Sequence, residues 1–378
     1  MKISSVEVMV LRSKLDEPFA FSQFRYTHRA TALVRIQTDE GIEGWGEAYG
    51  PAELTASVAR DLFAPMLLGR DPRDVESIWQ YLYARSIDYG QKGVMIAGLS
   101  AIDIALWDIK AKAAEVPLYR LLGGEHTESI RCYATGFYFV DTEPLEVRFE
   151  KEAKQHLAAG FQAMKVKVGL GVERDAELVR LVRQTIGAGA KLMMDANHAY
   201  TPVEAIQLAR AVEDCDIRWF EEPVSPLDPE GYLEVKSKTS IPLAGGECEY
   251  TRFGFDRWLR ERAFDYAQPD LCACGGISEG MKIATLASLS GIHVTPHAWG
   301  SAIGQAAALH FYAARPRQPF TLTAEDKLIE CDRSENPWRT AIVEDPIELA
   351  DGAWRLPAKP GLGVTVIKEA LDEHLAYT

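Results

Sequence analysis

The spacing of hydrophobic residues changes along the chain, and each change indicates a different kind of structure. Over residues 1–50 apolar and polar positions alternate, and ATALVRIQTDEGIEGWGEA at 30–48 predicts a strand, a turn at D-E-G and a second strand. From about 52 to 122 the apolar residues recur at helical spacing, and SAIDIALWDIKAKA places Ile102, Leu106 and Ile109 on one face. These patterns predict an α+β layer.

From about residue 128 strand-like and helix-like stretches alternate. The strand-like runs are SIRCYATG, AMKVKVG, KLMMDAN, IRWFEEP, PLAGGE, DYAQPD and IHVTPHAW. Amphipathic stretches such as ERDAELVRLVRQTI separate most of them, which predicts a parallel sheet and, with this many strands, a closed barrel. An eighth strand is less distinct and should lie somewhere in 319–331.

The predicted fold class is therefore α/β, a modified TIM barrel of the (β/α)7β type with an N-terminal α+β capping domain. We place the capping domain at 1–125, the catalytic barrel at 126–345 and a C-terminal segment at 346–378. The C-terminal segment is punctuated by Pro and Gly and ends in the helix-like IKEALDEHL. We expect it to return to the capping domain and complete it.

Composition argues against several classes of function. A formal net charge of −14 disfavours non-specific nucleic-acid binding, and no apolar run approaches the roughly 18 residues of a membrane span. The N-terminus alternates like a strand rather than an export signal. The six cysteines form no C-x-x-C motif, so we expect free thiols, with a redox or metal pair at Cys272 and Cys274 as the less favoured alternative. We expect a cytoplasmic homo-oligomer that has neither nucleic-acid nor membrane partners.

Three acidic residues lie at equal intervals within the barrel region. Asp195, Glu221 and Glu247 are each 26 residues from the next, and each closes a short apolar run. About 25 residues make one strand-helix unit of a (β/α)8 barrel, whose strands all end at one mouth. The spacing therefore brings three carboxylates together, and oxygen ligands without Cys or His are typical of a hard cation such as Mg²⁺.

Further ionisable residues continue this spacing in both directions. Lys165 and Lys167 lie upstream in AMKVKVG, and Asp270 and His297 lie downstream in YAQPD and HVTPHAW. Alternate residues of a strand share a face, so both lysines point into the barrel. Two adjacent ammonium groups lower each other's pKa unless anions face them, which would make a neutral amine base accessible.

The sequence resembles the enolase superfamily, and within it the mandelate racemase subgroup. The matching motifs are K-V-K at 165–167, D-A-N at 195–197, F-E-E-P at 220–223, G-G-E at 245–247, Q-P-D at 268–270 and P-H-A-W-G at 296–300, together with ALWDIKAK and LLGG in the first domain. Within the subgroup the chain is most similar to acid-sugar enzymes of the galactarolactone cycloisomerase type. The segments that carry this second resemblance include DANHAYT, QPDLCACGGISE and ECDRSENPWR.

The resemblance implies a role for each of these residues in removing the proton α to a carboxylate. Asp195, Glu221 and Glu247 would bind one Mg²⁺, which stabilises the enolate that forms. The remaining assignments are Lys165 against the substrate carboxylate, Lys167 and His297 as bases on opposite faces of the α-carbon, Asp270 as the partner of the imidazole, and Glu330 as a hydrogen-bond donor if protonated, or as an electrophile.

Several residues are expected around the substrate, a small anionic acid sugar or its lactone. Asn197 should contact the metal-ligand shell, and His198 and Trp299 should line the pocket. Glu222 should point away by strand alternation. In the first domain the 16–30 segment, an aromatic-rich loop in this interpretation, should close the mouth, and its Arg25 and His28 suit an anionic ligand.

One enolate permits several reactions. Expulsion of a ring carboxylate opens a lactone and gives a 3-deoxy-2-keto acid sugar, the cycloisomerase reaction that the resemblance favours. Expulsion of a β-hydroxyl is acid-sugar (aldarate or aldonate) dehydration, and reprotonation from the other face is racemisation or epimerisation. Other classes fit less well. A Schiff-base aldolase needs no three-acid site, and a His-ligated metallohydrolase needs more histidines at strand ends. A non-catalytic barrel would not retain all the bases, and a nicotinamide enzyme is disfavoured because G-L-G at 169–171 lacks the further glycine of a dinucleotide loop.

Overall fold

The computed structural model of the protein describes residues 1–124, 126–316, 322 and 327–377. Glu125, the last residue of the predicted capping domain, lies outside the described residues, as does most of the first half of the range predicted for the eighth strand. Within the described residues no helix has both the length and the apolar composition needed to cross a membrane.

An antiparallel sheet forms the base of the N-terminal domain. Its first three strands are β1 (Ile3–Ala20), β2 (Arg25–Thr38) and β3 (Glu43–Ala48). The segment 16–30, expected to be a loop, is mostly strand, because Phe19 pairs with Tyr26 and Ala20 with Arg25 across the hairpin. Aromatic side chains favour such cross-strand pairing, so the turn is confined to 21–24.

Helices cover one face of this sheet. They are α1 (Ala52–Ser57), a π-helical turn (Val58–Phe63), α2 (Ala64–Leu67), α3 (Val75–Ser86), α4 (Val94–Ala113) and α5 (Leu118–Leu121). α4 packs directly on β3, where a Cβ added to Gly44 or Gly46 would lie 2.1 Å from the Ala105 oxygen or 1.8 Å from the Ala101 oxygen. Glycine at alternate positions of β3 therefore allows the helix to approach the sheet.

The second domain is a parallel barrel. Its strands are β4 (Ser129–Gly136), β5 (Ala163–Lys167), β6 (Lys191–Asp195), β7 (Ile217–Glu221), β8 (Leu243–Gly245), β9 (Tyr266–Ala267), β10 (His293–Val294) and β11 (Ile329–Asp332). Its helices are α6 (Leu145–Ala158), α7 (Val172–Ile186), α8 (Pro202–Ala211), α9 (Pro229–Lys238), α10 (Thr251–Glu261), α11 (Gly276–Ser290) and α12 (Ala302–Ala314). Among the residues that the structure describes, eight parallel strands joined by seven helices form the predicted (β/α)7β arrangement.

The register of the barrel strands aligns the ends that carry the ionisable residues. Lys167 pairs with Asp195, and Asp195 pairs with Glu221, so three strand ends lie in one row. β9 and β10 contain only two residues each, and beyond them a single parallel bridge joins Asp270 to His297. All five residues therefore lie at the carboxyl ends of the strands, where such barrels carry their active sites.

The C-terminal segment contacts both domains. β12 (Leu349–Ala350) and β13 (Ala353–Arg355) form a hairpin that pairs with the start of β4. α13 (Lys368–Asp372) then leads to β14 (Leu375–Tyr377), which pairs antiparallel with β1 and becomes the fourth strand of the N-terminal sheet.

Two buried acidic residues of the first domain attach it to the barrel. Glu47 at the end of β3 accepts hydrogen bonds from the backbone nitrogens of Ser301 and Gly304, at the start of α12. Asp103 in α4 accepts from the backbone nitrogen of Ser278 at 2.9 Å and from its hydroxyl at 2.6 Å, in the first turn of α11. Each carboxyl group thus satisfies N–H groups that the barrel helix itself leaves without partners. The cap is fixed over the mouth by specific bonds between the domains.

Candidate active site

Three carboxylates converge at the mouth of the barrel. Asp195 and Glu221 end β6 and β7, and Glu247 follows β8, after Gly246 at a φ of +123°. One oxygen of each residue lies within 4.8 Å of the others. Asp195 and Glu221 are fully buried, where like charges at such distances repel strongly. The oxygen-only donor set and this unfavourable proximity fit a hard divalent cation, which the three residues could hold.

Lys165 lies behind the carboxylates. Its ammonium group contacts Glu221 Oε1, Glu330 Oε1 at 2.9 Å and Asp195 Oδ2 at 3.6 Å, and it is fully buried. Burial alone would lower the pKa of Lys165, but the charges of Glu221 and Glu330 raise it well above its usual value. Lys165 is therefore a fixed positive charge.

Lys167 lies against a different member of the trio. Its ammonium group donates to Asp195 Oδ2 at 2.6 Å and to Asn197 Oδ1 at 2.8 Å. Burial and the charge of Lys165 lower its pKa, but the carboxylates of Asp195, Glu247 and Glu221 together outweigh them, so the pKa of Lys167 is raised. Lys165 does lower the pKa of Lys167, but carboxylates face both lysines and the net shift of each pKa is upward.

His297 and Asp270 form a buried pair on another side of the carboxylates. Nδ1 of His297 lies 2.5 Å from Asp270 Oδ2, and Nε2 lies 3.6 Å from Glu247 Oε2. The Cys272 backbone nitrogen donates to the other Asp270 oxygen at 2.6 Å, which fixes that carboxylate. Burial opposes protonation of His297, but Glu247, Glu330 and Asp270 raise its pKa to about 10. At neutral pH His297 therefore holds a proton that it can donate.

Glu330 accepts hydrogen bonds in this structure, so the protonated form that would make it a donor is not favoured. Its oxygens accept from Thr135 Oγ1 at 2.6 Å and from the Ala298 backbone nitrogen at 2.9 Å, in addition to the Lys165 contact. Burial raises its pKa, but Lys165, His297 and these hydrogen bonds outweigh burial and lower it. Glu330 is thus an anion that holds Lys165 in place.

Two residues that the sequence analysis did not single out position Glu221. Gln268 Nε2 donates to Glu221 Oε2 at 2.6 Å, and Trp219 Nε1 donates to the same oxygen at 3.0 Å. Trp219 precedes Glu221 by two positions and so shares its face of the strand, and Gln268 belongs to the Q-P-D motif. Strand alternation from Glu221 therefore indicates Trp219, and the Q-P-D motif indicates Gln268.

The residues that follow the strand ends turn sharply. Asn197, His198 and Glu222 have φ angles of +43°, +56° and +39°, which lie in the left-handed region. Asn197 bridges the trio, since its backbone nitrogen binds Asp195 Oδ1 at 2.9 Å and its amide nitrogen lies 3.3 Å from Glu247 Oε1. His198 and Glu222 instead lie together with Cys248.

A cavity of about 540 Å³ opens between the cap and the barrel mouth. Arg25, His28 and Trp299 line it together with Asp270. Arg25 is also paired with Asp141, at 2.6 Å. His198 is not among the residues that line this cavity.

Aromatic residues of the cap that were not predicted individually enclose the same cavity. The Tyr49 ring lies 5.4 Å from the His297 ring, and the Tyr26 ring lies 5.1 Å from that of Trp299. The guanidinium of Arg29 stacks on Trp299 at 3.4 Å and is itself held by Asp332 at 3.0 Å. Such residues cannot be told from packing aromatics by sequence, because only the pairing of domains brings them to the mouth.

Family models match both halves of this chain. The mandelate racemase / muconate lactonizing enzyme N-terminal domain matches residues 5–123, and the enolase C-terminal domain-like model matches residues 148–370. The chain belongs to the enolase superfamily and is an enzyme of the mandelate racemase / muconate lactonizing enzyme family. This confirms the predicted fold class and the resemblance on which the residue roles were based.

Similar proteins of this family act on acid sugars. D-galactarolactone cycloisomerase of Agrobacterium fabrum is 43% identical over 373 residues, which cover 99% of this chain and 98% of that protein. Arabinonate dehydratase of Saccharolobus solfataricus is 34% identical over 348 residues, covering 90% and 89%.

Solved structures show the same fold. The 3,6-anhydro-D-galactonate cycloisomerase from Zobellia galactanivorans superposes with a TM-score of 0.90 at 42% identity, over 100% of both chains. A racemase from Streptomyces coelicolor with bound magnesium superposes with a TM-score of 0.89 at 29% identity, over 99% of this chain and 100% of that one.

Proposed function

We propose that the protein removes the proton α to the carboxylate of an acid sugar or its lactone and then eliminates a β-substituent. The favoured reaction is that of a D-galactarolactone-type cycloisomerase, which opens the lactone ring. The observation that carries the proposal is the placement of Lys167 and His297. Each lies against a different member of one carboxylate trio, Lys167 beside Asp195 and His297 beside Glu247.

Asp195, Glu221 and Glu247 are the residues that would hold Mg²⁺. The bound ion would supply positive charge that opposes both the three carboxylates and the charge developing on the substrate carboxylate. Lys165, kept charged by Glu330, would face the same carboxylate. Lys167, whose ammonium form depends on Asp195, is the base for the α-proton once the charge of Asp195 is taken up.

Elimination couples the removal of the α-proton to the breaking of the C–O bond at the β-carbon. As the α-proton passes to Lys167 its electron pair forms a C=C bond, and the C–O bond at the β-carbon breaks. In a lactone whose ring oxygen is at the β-carbon, that oxygen leaves as a carboxylate and the ring opens; the enol then becomes a 2-keto acid. The protonated His297, held by Asp270, is the acid for protonation on the other face.

Two relatives above 40% identity support ring opening, since both are named cycloisomerases. Dehydration is the second candidate, because the 34% identical arabinonate dehydratase has a related sequence throughout. In that reaction the β-hydroxyl would take the proton of His297 and leave as water. Racemisation or epimerisation would use the same two residues without elimination.

One experiment separates these reactions. The protein is incubated in D₂O with diacid sugars, their lactones or monoacid sugars, with Mg²⁺ or with excess EDTA, and the products are followed by NMR. We expect a ring-opened 2-keto acid from a lactone, and no α-exchange in EDTA. Dehydrated products from open-chain acids would establish the dehydratase instead. Turnover that persists in EDTA, with a borohydride-trapped adduct, would contradict the whole mechanism.

Variants test the roles of the two bases. Lys167→Ala and His297→Asn should each lower exchange on one stereochemical face by about 10²–10⁴-fold while the metal still binds. Lys154→Ala, at an exposed helix position beside Glu150, is a matched control that should retain full exchange. Loss of metal binding in either active-site variant would show that the assignment of ligands and bases is wrong.

Three further expectations from the sequence stay predictions. We propose the domain limits at 125/126 and 345/346, which limited proteolysis would test. We also propose a homo-oligomer, which light scattering would test, and a cytoplasmic location, which fractionation would test.

A further inference from the structure

A second group of potential metal ligands lies beside the carboxylate trio. His198 follows Asp195 by three positions, Glu222 follows Glu221 by one, and Cys248 follows Glu247 by one. One ligand atom of each of these three residues lies within 4.8 Å of the others. The loops after β6, β7 and β8 thus each contribute one residue to this group, just beyond the trio residue that ends or follows the same strand.

Glu222 is the residue that points to a missing ligand. Its side chain is 1% exposed, and apart from the Cys248 thiol of the same group its carboxylate oxygens have no hydrogen-bond partner among the described residues. The neighbouring acids differ in this respect, since Glu221 accepts from Gln268 and Asp195 accepts from Lys167. A thiol is a weak donor, and a buried carboxyl group without a strong donor or a cation is unfavourable, which indicates that a ligand binds there.

The backbone holds the three loops in place around this position. The His198 backbone nitrogen donates to the backbone carbonyl oxygen of Glu222 at 2.8 Å, which connects two of the loops. A small cavity of about 10 Å³ borders Glu222 and Cys248, about the room that a single water or ion needs. His198 and Cys248 are both half-buried, so an ion can reach the group from solvent.

We propose that His198, Glu222 and Cys248 bind a borderline-soft divalent cation of the Zn²⁺ class, separately from the site formed by Asp195, Glu221 and Glu247. One imidazole nitrogen, one carboxylate oxygen and one thiolate are the donor types that zinc prefers, and three protein ligands leave one position open. The trio contains only carboxylate oxygens, which suit Mg²⁺. The two adjacent sites therefore differ in the kind of metal that they select.

This inference does not depend on the proposed reaction, because its test does not measure turnover. The whole protein is freed of metal with EDTA and titrated with Co²⁺, which replaces Zn²⁺ and shows a charge-transfer absorption when a thiolate is bound. Wild type should bind about two equivalents and show this band. Cys248→Ser should bind about one equivalent and lack the band, and Zn²⁺ should abolish the band in wild type.

Matched variants distinguish this site from its neighbours. Cys215→Ser removes a buried thiol elsewhere in the barrel and should keep the band. Asp195→Asn should lose the equivalent bound by the trio but keep the band. Glu222→Gln, which preserves size, should weaken the binding that produces the band by at least about 10-fold.

Three results would overturn the proposal. One is a wild-type titration in which Co²⁺ binds to the carboxylate trio alone, without thiolate absorption. Another is a band that persists in Cys248→Ser, and the third is a band whose affinity is the same in Glu222→Gln as in wild type. None of these results would bear on whether Lys167 and His297 exchange the α-proton.

Discussion

His310 makes a quantitative prediction about stability in acid. It is fully buried in α12, where Nδ1 accepts from the Tyr119 backbone nitrogen at 3.1 Å and Nε2 donates to the Leu362 oxygen at 3.0 Å. The imidazole thus joins α12 to α5 and to the C-terminal segment. Burial lowers its pKa from 6.5 to about 4, although the bond to Leu362 acts in the opposite direction.

The sign and size of the effect follow from this shift. The unfolded chain takes up a proton on His310 near pH 6.5, and the folded protein does so only near pH 4. The stability from this residue is therefore complete above pH 6.5 and is lost as the pH falls towards 4. With about 1.4 kcal/mol per pKa unit the full loss is about 3 kcal/mol, of which about 2 kcal/mol is lost by pH 5.

Urea unfolding of wild type and His310→Gln at pH 7, 6 and 5 measures this loss. Titration of the many carboxyl groups contributes equally to both proteins, so we follow the difference between their free energies of unfolding. That difference should shrink by about 2 kcal/mol between pH 7 and pH 5.

A second variant provides the control. Leu118→Ala removes buried packing next to Tyr119 without a titratable group, so its deficit relative to wild type should not change with pH. If the His310→Gln difference stays constant to within about 0.5 kcal/mol, His310 takes up its proton in the folded protein and the reasoning from burial is wrong.

Three further outcomes follow from the contacts at the site. Asp270→Asn should lower turnover about 10²–10⁴-fold, because the neutral amide no longer provides a charged acceptor for Nδ1 of His297. Exchange on the Lys167 face, followed by NMR, should survive, and equal loss on both faces would contradict this prediction. Glu47→Gln should lower the free energy of unfolding by about 1–3 kcal/mol in urea, since one oxygen that accepts from Ser301 and Gly304 becomes a donor; an unchanged midpoint would refute the role of Glu47 at the interface. Removal of divalent metal should abolish α-exchange, and Mg²⁺ should restore it; exchange that continues in a chelator would be the contrary result.

The positions of the acidic residues could be predicted because they depend on one repeated unit. A strand-helix unit of nearly constant length places Asp195 and Glu221 in one row of the barrel, and the register shows them paired. The spacing also predicted where Asp270 and His297 lie, even though β9 and β10 contain only two residues each. A repeated unit of nearly constant length, with all strands running in the same direction, is sufficient to predict which residues lie at the mouth of the barrel.

The ionisation states and the pocket walls could not be predicted in the same way. The pKa of Lys167 depends on a 2.6 Å contact with Asp195, and the anionic state of Glu330 depends on Thr135 and Ala298, which are far from it in sequence. Strand alternation places Glu222 away from the trio, but left-handed φ angles bring it to His198 and Cys248. Such details arise from three-dimensional packing rather than from local pattern.

The bonds from Glu47 and Asp103 to the first turns of α12 and α11 have a consequence for engineering. A barrel separated from its cap would expose unpaired N–H groups at the starts of two helices, and a cap without these acids would not replace them. Exchanging caps between relatives to alter substrate preference should therefore succeed only when both acidic residues are transferred with the cap. A cap can therefore be exchanged as an independent domain only if it carries acidic residues at these two positions.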